Sequence, residues 1–570
     1  MEAALSAPAA TGQRSLDEAV ERLAEGAPSW AAAPLGARIA LLRSIQSGLW
    51  RAAPRMAEAA CRAKGLDPAG PAAAEEWLGG PYTCLRFVRQ LLESLAAIAR
   101  SGTTPVGRLS RSRDGRLVEE VFPAGGLDRL VYMGIRGEIR YPEGVDEPGM
   151  REARARFHRT PDHRGRICLV LGAGNVNSIP VADALAKLFN EGKVCVLKVN
   201  PVNAYVGPFL EEAFREAIDR KWLQVVYGGA AEGAYLAQHP SVDEVHITGS
   251  DRTHDAIVWG PPGPDRASRM ARGEPLLRKE ITSELGSVTP VLVMPGPWSP
   301  RQLALQAEGI AGAVVNNGSF NCIAAKMLVL PRGWKQRQAF LDLLWEKLSL
   351  APPRHAWYPG AHDRYRALTG GREGLRTGAT AEGAIPWTLL PGLDSSSEAE
   401  PAFHTEPFCA LLSETAVGSE DPLEYLAAAV EFANRRLWGT LSAMLLAPPA
   451  YLADPVVGEA VDGAVAALRY GSVCVNVWSA FAYLAGTLPW GAHPGSTLRD
   501  IQSGRGFVHD TRMVGPIEKA VVWAPAAPLA KLPHFPSHRN ALPLARRLTS
   551  LEATGSWLEL PGVLGAGLRG

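Results

Sequence analysis

Three short segments of this 570-residue chain carry residues whose types and order could do chemistry. The first is NNGSFNCIAAKMLVL, residues 316–330. A lone cysteine, Cys322, follows a turn rich in Gly and Asn, and the segment reads as a small-residue helix that Cys322 opens, leading to a strand. A thiolate at a helix N-terminus is stabilised by the helix dipole and the unpaired N–H groups, and a thiolate is a nucleophile. Taken alone, this segment fits an inert buried cysteine better. The second segment, ITSELGSVTPVLV (281–293), shifts the balance toward a reactive thiol. It holds Glu284 between an apolar residue and a glycine, just before a strand. The third, HTEPFCALL (404–412), carries Glu406, a proline and Phe408 into another strand.

Other chemistries lack their residues. The loop after the first buried strand reads LGAGNVNS, not GxGxxG, and a Gly-rich turn there often serves sterics alone. No GxxxxGK(S/T) and no HExxH occurs, which removes the common P-loop and zinc-protease readings. The 12 histidines have no ligand spacing, and no CxxC links any of the 7 cysteines, so no metal site is expected. An odd, thinly spread cysteine count fits a reducing compartment.

Positioning elements surround these segments. Residues 166–250 alternate strand and helix four times: RICLVL, VCVLKV, LQVVYGG and DEVHITGS read as strands with helical stretches between them. That alternation is the signature of a parallel sheet built from crossover units. Such sheets bind ligands beyond the carboxyl ends of their strands. The loops at 172–177, 198–203, 228–229 and 248–250 all fall there, so one site could be lined by all four. Residues 15–100 read as packing helices, 105–165 as short strands with Gly and Pro turns, and 260–275 as a surface insertion. A second α/β stretch spans 284–480, and EKAVVWAPAAP reads as a strand that joins the pieces of 105–140. The tail 526–570 gives only a weak pattern.

Composition narrows the class. Lys plus Arg number 59 and Asp plus Glu 58, so no global field draws nucleic acid or an acidic membrane. The chain is 46% hydrophobic and 21% charged, an ordinary soluble balance. There is no apolar run of transmembrane length and no leader pattern at the start, so a cytoplasmic protein is expected.

In this order, the pieces resemble the aldehyde dehydrogenase superfamily across about residues 15–525. They are Gly174-Asn175, VLK ending at Lys198, HPSVDEVHITGS (239–250), ELG from Glu284, N-C-x-A at Cys322, E-P-F from Glu406, FANRRLWGTLSAML (432–445), GSVCVNV (471–477) and LPWGAHPGS (488–496). Asn175 precedes Lys198 by 23 residues, a spacing typical of that family. The resemblance implies an α/β fold with a Rossmann-like cofactor domain, an α/β catalytic domain and a small β oligomerisation arm. Expected boundaries are 1–104 for a helical part of the cofactor domain and 105–140 with 508–525 for the arm. The NAD(P)-binding domain spans 141–283, the catalytic domain 284–480, a return to the cofactor domain 481–507 and an extension 526–570. Cys322 is implied as the nucleophile, Glu284 as general base, and the Asn175 amide with the Cys322 N–H as oxyanion donors. Lys198 is implied at the adenosine ribose, Thr248, Gly249 and Ser250 at the pyrophosphate, Glu406 at the nicotinamide ribose and Phe408 beside it. NAD or NADP is the implied cofactor, a small-molecule aldehyde the substrate, and a homodimer or homotetramer the assembly.

The chain departs from the family pattern in several places. Gly174 stands where an aromatic is usual, and Val176-Asn177 where Phe-Pro is usual. Ser287-Val288 replace Gly-Lys, His254 replaces a glycine and Pro201 replaces an acid three residues after Lys198. Alternatives within the fold are acyl transfer to coenzyme A or reduction of an acyl thioester. Glu284 favours water as the acceptor, because transfer to a thiol does not need that base. A cysteine hydrolase without nicotinamide and a non-catalytic binding protein are the alternatives outside it. Trp478, Phe481 and Tyr483 read equally as substrate-funnel wall or as core.

Overall fold

In the computed structural model, which describes residues 8–160, 163–377 and 382–570, two sheets form the frame. The first residues of the expected helical part, and part of the stretch read for a leader, lie outside the described residues. The smaller sheet has the order Gly504–Arg505, Glu280–Leu285, Glu244–Gly249, Ile167–Leu171, Val194–Lys198, Leu223–Val226. Its five long strands are parallel, and Gly504–Arg505 pairs antiparallel with Glu280–Leu285. The strands ICLVL and VCVLK are buried along their whole length, as continuous apolar runs are in a sheet covered on both faces. All four sequence-read strands of 166–250 are present, and the insertion carries an exposed helix, Pro264–Arg272, with no buried residue.

The expected boundary at 283/284 falls inside the strand Glu280–Leu285, so Glu284 belongs to the cofactor-side sheet. Its register pairs Thr248 with Glu284 on one side and Gly504 with Glu284 on the other. The carboxyl ends of this sheet's strands therefore carry Lys198, Gly249 and Glu284 together.

Among the described residues the larger sheet has eleven strands. Its parallel centre holds Ser472–Val475, Ser442–Leu446, Pro290–Val293, Met327–Pro331, Leu411–Val417 and Trp387–Leu393. Lys519–Trp523 adds to Ser472–Val475 in parallel and pairs antiparallel with Arg136–Arg140, which leads to Leu117–Phe122 and Arg108–Arg111. Within the chain, then, the strands expected as an arm extend the larger sheet. The N-terminal helices Gln13–Ala31, Leu35–Ala63 and Thr83–Ser101 pack on the smaller sheet in one core. No helix among the described residues is long and apolar enough to cross a membrane.

The tail is ordered structure that its pattern had not disclosed. Helix Ala541–Thr554 packs on Ala73–Trp77 and Thr83–Ser101, and Leu560–Leu568 folds back onto it. The buried guanidinium of Arg86 joins Asp128 to Glu552 at 3.0 and 2.5 Å, tying the tail to the body.

Candidate active site

Cys322 is reached by a broken turn, not by a helix. Helix Pro300–Val315 ends, and Asn317, Gly318 and Ser319 follow at φ 55°, 65° and 69°. This left-handed run costs least at Gly and Asn. Cys322 then lies in a turn five residues before the strand Met327–Pro331. The expected helix is absent because strand pairing begins so soon, and with it goes dipole stabilisation of a thiolate. Burial pushes the Cys322 thiol up, the neighbouring Glu284 carboxylate adds to this, and Lys326 pulls it down. At rest the Cys322 side chain is therefore held as a thiol.

Glu284 is that neighbour. It is 1% exposed, and both its carboxylate oxygens are buried without a hydrogen-bond partner among the described residues. Burial, and then the charge of Asp183, push it up to about 8, against the pull of the Cys322 thiol and the Trp490 indole. A carboxyl so placed can hold and release a proton near neutral pH. Asp183 is itself buried, yet His246 and His509 hold it well below the usual carboxylate range.

Asn175 comes from the loop after Ile167–Leu171. Its Nδ2 donates to the Phe320 carbonyl at 3.0 Å, which aims the amide toward the cysteine turn. Cys322, Glu284 and Asn175 line one cavity of about 390 Å³. Trp478, Phe481 and Tyr483 line it too, and Tyr483 also packs on Phe87 and Trp490, so this stretch is both wall and core.

Two lysines that the sequence reading missed hold this arrangement. Lys64 is 5% exposed and bonds Glu76 at 2.9 Å, the Asn317 side chain at 2.9 Å and the Asn175 carbonyl at 3.2 Å. It locks the loop of one sheet to the turn of the other. Nothing near Lys64 in sequence signals this. Lys326 was detectable as the one charge in the apolar run AAKMLVLP. Its Nζ donates to the Cys322 and Ser287 carbonyls, each at 2.9 Å, and pairs with Glu406.

Glu406 thus already has a cationic partner, and burial pushes its carboxyl up against that partner's pull. Phe408, at φ 39°, packs against Tyr358 and Phe320, held by Arg364 donating to its carbonyl. A Cβ on Gly286 would stand 1.8 Å from the Glu406 carboxylate. Gly286→Ala is therefore expected to drive Glu406 off Lys326 and to cost about 1–3 kcal/mol of stability, as overpacking does. Urea unfolding measures this, and an unchanged midpoint would mean that Glu406 turns aside freely.

On the smaller sheet, Lys198 Nζ donates to the Gly228 carbonyl at 2.6 Å. Ser250 accepts from the Thr253 N–H and caps helix Asp251–Trp259, with Gly249 and Ser250 exposed. The Thr248 hydroxyl is committed to Asp183 at 3.0 Å, so of the three expected pyrophosphate residues only its neighbours face outward. The departures have local causes. A Cβ at Gly174 would meet the Asn200 side chain at 2.7 Å, because Asn200 occupies the space an aromatic would need. Val288 is core, packed under the larger sheet.

The sequence model of the aldehyde dehydrogenase family matches residues 166–355. Human 4-trimethylaminobutyraldehyde dehydrogenase is 33% identical over 132 residues, 22% of this chain and 23% of that one. An aldehyde dehydrogenase of a Fusarium species is 28% identical over 155 residues, 27% of this chain and 29% of its own. These matches thus take in under a third of either relative. The fold is shared far more widely. Indole-3-acetaldehyde dehydrogenase of P. syringae, solved with NAD+, superposes at TM-score 0.58 and 18% identity, covering 90% of each chain. The NADP-dependent glyceraldehyde-3-phosphate dehydrogenase of Bacillus halodurans, solved with NADP, gives 0.57 and 16%, over 90% of this chain and 92% of that one.

Proposed function

We propose that this chain, whose residues 166–355 match the aldehyde dehydrogenase family and whose fold is shared with solved aldehyde dehydrogenases, oxidises an aldehyde to the carboxylic acid, with NAD+ or NADP+ as hydride acceptor. The observation that carries this reading is the meeting of Cys322, Glu284 and Asn175 on one cavity. Glu284 takes the thiol proton, and Cys322 Sγ forms a bond to the aldehyde carbon. The oxyanion accepts from Asn175 Nδ2 and the Cys322 N–H. Loss of hydride from that carbon leaves a thioester on Sγ. Glu284 gives up the first proton to solvent and then takes one from water, the hydroxyl adds to the thioester carbon, and the C–S bond breaks to release the acid and a Cys322 thiolate, which Glu284 reprotonates.

The residues present fit a dinucleotide. Lys198 and the exposed Ser250 cap stand at the strand ends, where such ligands bind. The bare Cα of Gly286 lets the Glu406 carboxylate close against it. In this reading Lys198 holds the adenosine ribose, Gly249 and Ser250 the pyrophosphate, Glu406 the nicotinamide ribose and Phe408 packs beside it. Bound there, NAD(P)+ supplies the hydride acceptor. The reading includes a cytoplasmic homodimer or homotetramer, which light scattering on the purified protein measures. An aldehyde panel followed by NAD(P)H absorbance, with and without coenzyme A, tests the activity. Failure to form NAD(P)H from any aldehyde under either condition overturns it.

Cofactor choice follows from the adenosine end. An acid near the ribose accepts from the 2′-hydroxyl and repels a 2′-phosphate. Pro201 supplies neither charge nor donor at its position, and it is exposed at the head of a turn. Glu211 and Glu212 are candidates to fold back, but Glu211 accepts from Tyr227 and Glu212 pairs with Arg55. Glu232, which accepts from the Gly229 N–H, is the carboxylate whose field reaches Lys198. NADP+ is expected to be used measurably, with any NAD+ preference in kcat/KM below about a thousandfold, equal to about 4 kcal/mol. Glu232→Gln should move the ratio toward NADP+. A larger preference that survives this substitution would sink the idea.

A further inference from the structure

The cavity at Cys322 does not end where the two sheets meet. It continues outward between the body and the tail, and the tail builds much of its outer wall. Leu529, Leu532 and Phe535 come from the segment after the last strand. Leu544 and Leu548 come from helix Ala541–Thr554, and Val563 and Leu564 from Leu560–Leu568. The opposite wall carries Ile179, Ile310, Val477 and Phe481.

Of the three charged residues on this wall among the described residues, two are ion-paired and the third, Lys531, is held by a neutral hydroxyl. Arg86 is paired with Asp128 and Glu552, and Glu75 with Arg354. Lys531 donates to Ser537, which in turn is bonded to Glu308. His534 is held neutral, because burial and then His538 bring it down to about 3, and its ring lies against Trp478. Lining charges that are already paired give a phosphate or carboxylate on a substrate no partner. The outer end is flanked by Met133, Leu529 and Leu568, which are 51%, 80% and 67% exposed. Large apolar side chains left in water beside a cavity mark a surface meant for an apolar ligand.

We propose that residues 526–570 complete a tunnel for the aliphatic chain of a long, unbranched, uncharged aldehyde, whose carbonyl reaches Cys322. The proposal rests on the reading of Cys322 as the attacking thiol, and it assigns that reading its substrate class. The tail is fixed in place by the Arg86–Glu552 pair and by Gln306 donating to the Ala526 carbonyl at 2.8 Å. The wall is therefore part of the fold, present before a substrate arrives.

Straight-chain aldehydes from propanal to dodecanal test it. Each added methylene that is buried should raise kcat/KM about fourfold until the tunnel is filled. Gly567 lines the tunnel, and a Cβ there meets nothing closer than Ala530 at 4.0 Å. Gly567→Phe should put a ring across the tunnel and flatten the dependence on chain length. Binding is read separately, without nucleotide, as displacement of cis-parinaric acid by the same series. Displacement that strengthens with chain length and is lost in Gly567→Phe supports the tunnel, even if no aldehyde is oxidised and the dehydrogenase reading fails. Aldehyde oxidation with no gain from propanal to dodecanal, in turnover or in displacement, overturns the tunnel and leaves the dehydrogenase standing. If Gly567→Phe does not fold, the chain-length series on the unaltered protein decides alone.

Discussion

Cys322→Ala is expected to remove aldehyde oxidation by about 10⁴-fold or more, the scale on which covalent mechanisms fail when their nucleophile is deleted. Binding of the nucleotide should survive, because Lys198 and Ser250, proposed to hold it, lie on the other sheet. The other six cysteines, Cys61, Cys84, Cys168, Cys195, Cys409 and Cys474, are all buried, while Cys322 is half-buried. Burial pushes Cys61, Cys409 and Cys474 up to about 12, and nothing reacting lines their surroundings. Cys168 and Cys195 sit inside sheet strands, so replacing them should be felt in stability more than in kinetics. Alkylation by iodoacetamide followed by mass spectrometry should find one fast adduct, at Cys322, that disappears in the variant. Near-wild-type turnover of Cys322→Ala would place the nucleophile elsewhere.

The parts of the fold that the sequence announced are those where local pattern and tertiary role agree. ICLVL and VCVLK are apolar without a break because both faces of the sheet are covered, so the run itself tells the environment. The order of Asn175, Lys198, Glu284, Cys322 and Glu406 was readable because each stands beside a strand: the first three follow one or lie at its end, and Cys322 and Glu406 precede one. What was not readable is the contact between distant parts. Lys64 follows the last turn of an N-terminal helix and looks like any surface lysine, yet it is buried against Asn175 and Asn317. Its role exists only once the two sheets face each other. The helix expected at Cys322 failed for a related reason. Small residues permit a helix, but three left-handed residues and an early strand decide against it. The tail gave a weak pattern because its apolar face covers a tunnel and two helix faces at once, which blurs any single period.

Glu284→Gln is the second large effect, and it separates the two half-reactions. Loss of a general base costs about 10²–10⁴ in rate. If the carboxylate chiefly activates the water that attacks the thioester, the variant should give a burst of NAD(P)H and then a slow phase. A uniform slowdown without a burst would assign it instead to the thiol proton. The pH dependence follows from its environment. Burial, then Asp183 and Glu406, hold Glu284 up to about 8 against the pull of Cys322 and Trp490. As a base it must be ionised, so wild-type kcat/KM should climb as pH rises through about 8, and Gln should abolish that limb. Stability runs the opposite way. Between about 4.5 and about 8 the folded protein keeps this proton while the unfolded chain has lost it, so the folded state loses stability as pH rises across that window. Glu284→Gln removes the titration, and its melting temperature should gain on the wild type from pH 5 to pH 9. Melts across that range measure it, and parallel curves for the two proteins would mean that Glu284 reaches a partner or solvent that keeps it ionised.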